Sequence, residues 1–152
     1  MSDPDTDPDN DTDPHQLQRF VQAQAPVYAD ICAELAAGAK ASHWMWFVFP
    51  QLKALGRSST AQFFGLASSE EAQAYWRHPV LGSRLRHCTE LVLAIEGRTA
   101  LQIFRSPDNL KFHSSMTLFA HAAPQEPLFR RALDKYFDGK SDAATVELLQ
   151  GS

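Results

Sequence analysis

A chain of 152 residues, 44% of them hydrophobic, is long enough to bury one sizeable core and too short for two ordinary domains. Its net charge of −4 hides an asymmetry: the first 14 residues carry six Asp, and the rest holds 12 acidic residues against 14 Lys and Arg. Such a mild balance gives little support to nucleic acid as a partner, and no run approaches the roughly 18 apolar residues of a membrane span.

Residues 1–12 are rich in Asp, Pro and Thr and have no apolar side chain after Met1, so they are expected to form a disordered acidic tail ahead of one domain over 13–152. The tail reads as a solubilising extension, or as a competitor of anionic ligands for a basic groove. It lacks the basic start and apolar centre of a signal peptide. Cys32 and Cys88 have no CxxC spacing and are expected to be small buried hydrophobes on helices, with the reduced thiols of a soluble cytoplasmic protein.

Asp13 and Pro14 read as an N-cap and a first-turn proline, followed by Leu17, Phe20 and Val21 at helical spacing. Pro26 should break or restart that helix, and Val27, Ile31 and Leu35 continue a stripe up to Gly38. Ser68 with Glu71 forms a capping box ahead of another helix. Pro79 opens the clearest one, with Leu81, Leu85, Cys88, Val92 and Ile95 in steps of four and three before Gly97. Further helices are predicted at 59–64, 99–104, 108–121, 126–137 and 142–149. The sum is an all-α fold, a compact multihelical single domain with short connections.

The stretch "SHWMWFVFPQL" at 42–52 places His43 before an apolar run. Ser42 is a natural N-cap and Pro50 disfavours helix at Phe49, so a helix of under two turns is predicted, apolar on every side; a buried strand is the second choice. His43 then stands at the edge of an aromatic cluster, either as a core histidine bonded to a carbonyl or as an acid/base group touching a ligand. Trp44 and Trp46 are core residues or a stacking platform.

In "PDNLKFHSSMTLFA" at 107–120, Asp108, Lys111 and Ser115 share an arc with Phe112, Met116, Leu118 and Phe119. Burying an unpaired Lys or Asp would cost several kcal/mol, so these groups must pair, meet a ligand or open onto a pocket. In "YWRHPVLGSRLRHC" at 75–88, His78 precedes the long helix, whose first-turn N–H groups could receive an anion with help from Arg84. No histidine pair has metal-ligand spacing and no GxSxG elbow occurs, so neither a metal nor a cofactor is expected.

Taken together, "RFVQAQAPVY", "SHWMWFVFPQL", "GLASSEEAQAYWRHPVLGSRL" and "IFRSPDNLKFHSSMTLFA" resemble the family of domains of unknown function numbered 1810 (DUF1810), over roughly residues 17–149. The resemblance implies a compact, mainly α-helical fold and brings no activity with it. Some members carry the label calpastatin-like, yet the chain has no short repeated inhibitory segments. The family's recurrent blocks match His43, Trp44, Trp46, Gln51, His78, Arg84, Asp108, Lys111, Ser114 and Ser115 here. The chain departs from them at Asn109, where an Asp is common, and at Arg105, where a Gly is usual.

Two functions of different class follow as expectations. One is a small-molecule pocket for an anionic or nucleotide-like ligand held between the tryptophans by Gln51, His78, Arg84, Lys111, Ser114 and Ser115, with hydrolytic acid/base chemistry assigned to His43 or Asp108. The other is a non-enzymatic protein-interaction or adaptor module in which the same blocks are core.

Overall fold

The computed structural model describes residues 13–151, so the acidic tail expected at 1–12 lies outside the described residues. Asp13 does cap a helix, but later than its spacing with Pro14 predicts: its carboxylate accepts from the N–H groups of Leu17 at 2.6 Å and Gln18 at 2.9 Å, where α1 (Gln18–Gln24) begins. The chain breaks at Pro26 and restarts as α2 (Tyr28–Ala36). That helix ends in a Schellman turn, with Gly38 N–H to Leu35 O at 3.0 Å and Ala39 N–H to Glu34 O at 3.1 Å. Gly38 adopts φ +75°, a conformation that costs a residue with a Cβ.

The aromatic run forms a single helical turn, α3 (Met45–Val48). Ser42 does not cap it; Trp44 stands at the cap position, and the Ser42 hydroxyl donates instead to Glu34 at 2.5 Å. Nor is the run a strand. Among the described residues, pairing of extended backbone is confined to one isolated parallel bridge, Leu52 with Leu66, on either side of a 3₁₀ turn (Lys53–Leu55) and α4 (Ser59–Phe64).

Helix α5 (Ser69–Arg77) starts on half of the predicted capping box. Ser68 Oγ accepts from Glu71 N–H at 3.2 Å, while the Glu71 carboxylate turns to Ala67 N–H at 2.6 Å and Arg19 at 3.1 Å. The long helix α6 (Pro79–Ala94) opens on Pro79 as predicted. Its junction with α5 is tight: a Cβ on Gly82 would lie 2.1 Å from the Trp76 carbonyl oxygen. Helices α7 (Ala100–Phe104), α8 (Asp108–Ala122), α9 (Pro127–Phe137) and α10 (Ala143–Gln150) fall within a residue or so of their predicted spans.

Two helices carry the architecture. Helix α6 packs on α1, α2, α3, α5 and α9; helix α8 packs on α5, α7, α9 and α10, so α5 and α9 bridge the pair. The mid-section of α8 is enclosed on all sides, with Phe112 and every residue from 114 to 119 buried. This enclosure accounts for polar groups sharing an arc with apolar ones on this helix, because there its hydroxyls have no solvent face to which to turn. Phe49, Phe104 and Phe112 form an interlocking aromatic set, and all belong to one continuous hydrophobic core.

Candidate functional site

Helices α2, α3 and α8 converge at the loop that joins α2 to α3. The loop has no regular structure, and Glu34 fastens it. Its carboxylate accepts from Ala41 N–H (2.8 Å), Ser42 N–H (3.0 Å), Ser42 Oγ (2.5 Å) and the Trp44 indole N–H (2.8 Å). Burial alone would push the Glu34 carboxyl up, but the Ser42 hydroxyl, the Ala41 N–H and the Trp44 indole outweigh it and hold the pKa at about 2.

Against this loop sits a charged cluster. Asp108, at the start of α8, takes Lys40 Nζ on Oδ2 at 2.8 Å and faces Lys111 Nζ from Oδ1 at 3.7 Å. Each ammonium lies over an indole, Lys40 over Trp44 at 5.0 Å and Lys111 over Trp46 at 5.1 Å. A cation held this way gains about 0.5–2 kcal/mol, more as water is excluded. Lys40 is the more enclosed, its side chain 7% exposed against 23% for Lys111. Asp108 therefore anchors two cations through both its oxygens, a poor arrangement for the proton transfer expected of it.

Beside Lys111, a crevice lined by Met45, Trp46, Phe49, Gln51 and Phe64 has a volume of about 10 Å³, room for about one water. Trp44 is 1% exposed and presents no free face. A nucleobase between the two tryptophans, as the sequence reading pictured, has no space there. Lys111 and Trp46 remain half-buried and reachable at the rim, and His43 is exposed on the loop, which sets aside its reading as a core histidine.

The remaining expected residues lie elsewhere or face inward. His78 caps α6: its Nδ1 accepts from Val80 N–H at 3.1 Å and Leu81 N–H at 3.2 Å, so the first-turn donors expected to receive an anion are already satisfied. Arg84 reaches Gln24 Oε1 at 3.3 Å and covers the Tyr28 ring at 4.9 Å, away from Lys111. Ser114 donates to Leu110 O at 3.1 Å and to Asp142 at 3.3 Å, which joins α8 to α10. Ser115 is fully buried and its hydroxyl has no partner. Trp44, Trp46, Gln51, Asp108 and Lys111 thus come together, while His78, Arg84 and Ser114 serve structure.

Sequence reasoning missed Lys40, Glu34 and Gln24. Lys40 lies in a loop with no periodicity to place it, although its position before "ASHWMW" was a usable hint. Gln24 is a buried polar hub: its Nε2 donates to Phe47 O at 2.6 Å and Tyr75 Oη at 3.0 Å, tying α1, α3 and α5 together. Burial pushes the Tyr75 hydroxyl well above the usual phenol range.

The architecture is that of a small, single-domain, all-helical protein. The chain belongs to the DUF1810 family, described as proteins of unknown function, whose pattern matches residues 14–149. It is also similar to a crystal structure of the conserved hypothetical protein Rv1873 from Mycobacterium tuberculosis, with 54% identity and a TM-score of 0.90 over 91% of this chain and 99% of that one. No curated protein matches it. Among the described residues, no group of three or more His, Cys, Asp or Glu side chains converges as a metal site would, and no helix is long and apolar enough to cross a membrane.

Proposed function

We propose that the protein binds a small anionic ligand, one bearing a phosphate or carboxylate group, at the rim where Lys111 and Trp46 meet the Lys40–Asp108 pair. The observation that carries the reading is the charge count of the cluster: two ammonium groups share one carboxylate. Glu34, the other nearby acid, is occupied by four loop donors. At 3.7 Å from Asp108, Lys111 is beyond hydrogen-bond length and keeps donors for a ligand. The 10 Å³ crevice limits what enters to little more than a water, so a nucleotide-like ligand is held by its anionic group with its base outside, against Trp46. Exposed His43 is the group left to move a proton should the ligand be hydrolysed. A cytoplasmic setting goes with this reading.

Titration calorimetry of inorganic phosphate, pyrophosphate and ADP-ribose against the wild type and Lys111→Met tests it. The expected result is binding of at least one of these anions, weakened about tenfold or more by the substitution, equivalent to about 1.4 kcal/mol. Equal affinities, or no binding of any of the three to the wild type, would overturn it. A second reading, a non-enzymatic interaction module, draws on Leu101 and Leu110, which are 55% and 58% exposed on α7 and α8.

A further inference from the structure

Helices α2 and α6 lie side by side in a register that can be read at both ends of their contact. The Arg84 guanidinium covers the Tyr28 ring at 4.9 Å. Beyond the other end, a Cβ on Gly38 would lie 3.4 Å from a methyl of Ile95. Both pairings climb the two helices in the same direction with almost the same offset in sequence, so the helices run parallel and turn meets turn. One turn on from Tyr28 stands Cys32, and one turn on from Arg84 stands Cys88.

That register sets the two thiols and the Tyr28 hydroxyl in one neighbourhood, near enough that each perturbs the ionisation of the others. Both are free; Cys32 is half-buried and Cys88 enclosed. Burial first, and then the neighbouring Cys32, push the Cys88 thiol up to about 12, so it carries its proton at neutral pH. The expectation of small buried hydrophobes on helices holds for Cys88, whereas Cys32 is only half-buried. A reachable sulfur backed by a second, enclosed one is the pattern of an attacking and a resolving thiol.

We propose that Cys32 and Cys88 form a peroxide-sensitive pair that closes to an intramolecular disulfide between α2 and α6. In the first step the Cys32 thiolate attacks hydrogen peroxide: an S–O bond forms, the O–O bond breaks, the sulfur is oxidised to sulfenic acid, and the leaving hydroxide takes up a proton to become water. In the second step the Cys88 sulfur attacks the Cys32 sulfur. The S–S bond forms, the S–O bond breaks, and the departing hydroxyl leaves as water with the Cys88 proton. A small thiol reverses the closure by exchange.

The test is to treat the full-length protein with a small excess of hydrogen peroxide, quench, alkylate under denaturing conditions and measure intact mass. Both thiols should vanish together, with a mass lower by two hydrogens in a monomeric chain, and dithiothreitol should restore them. In Cys88→Ser, Cys32 should gain oxygen instead; in Cys32→Ser, Cys88 should stay unreacted. Oxygen added to Cys32 of the wild type while Cys88 still alkylates overturns the proposal. So do disulfides formed only between chains, and so does a wild type in which neither thiol reacts. The decisive comparison uses the wild type, so a variant that folds poorly does not blunt it.

Discussion

Glu34 shows how much one side chain can organise. It gathers two backbone amides, a hydroxyl and an indole N–H that would otherwise fix nothing, and its pKa falls to about 2 from an ordinary 4.5. The folded state therefore binds the Glu34 proton more weakly than the unfolded chain does. The resulting stability is fully present above about pH 4.5 and is lost as pH falls toward 2. Glu34→Gln should cost about 2 kcal/mol at pH 7, and the gap from the wild type should close in acid. Urea titrations at pH 7, 4 and 2.5 would show it; a gap unchanged across that range would remove Glu34 from the account. Lys40 and Lys111 are organised in the same way by Asp108, but there the carboxylate leaves one ammonium short of a partner.

At the scale of elements, the helices end where chain-local chemistry ends them. Pro79 opens α6 with the His78 ring beneath its first turn, Asp142 accepts from Thr145 N–H at 3.1 Å to start α10, and Gly38 closes α2. These signals sit within a few residues of the boundary they set, so nearly every helix could be read from sequence. The candidate site was less legible. Trp46, Asp108 and Lys111 stood out as large or charged groups on apolar faces, yet Lys40 comes from an irregular loop and meets Asp108 only through the fold. His78 failed as an anion-site residue for a related reason: sequence placed it at a helix start without showing that its own ring nitrogen fills the donors there. Gly82 makes the joint of α5 and α6 testable, since an added Cβ would meet the Trp76 carbonyl at 2.1 Å. Gly82→Ala should cost about 3 kcal/mol, read as a lower midpoint in thermal or urea unfolding, because backbone rather than a flexible side chain must move.

Across the whole molecule, one core joins every helix, and the order of burial is set by α8. Four helices surround it, Phe49 and Phe104 pack on its Phe112, and Thr117 is satisfied inside, donating to His113 O at 2.9 Å and accepting from Asp142 N–H at 2.8 Å. The 54% identity to the mycobacterial protein extends over nearly all of that chain, so the same packing problem is solved there with almost half the residues changed. The enclosed mid-section of α8 has no outer face along which to peel away. Its amide protons can meet solvent only when its neighbours leave together, and hydrogen exchange at 112–119 should run at the rate of global opening. The α10 amides, on a helix packed chiefly against α8 and largely open to solvent, should exchange faster. Deuterium uptake followed by mass spectrometry would order the two, and the slow set in α8 would then serve as an internal gauge of total stability.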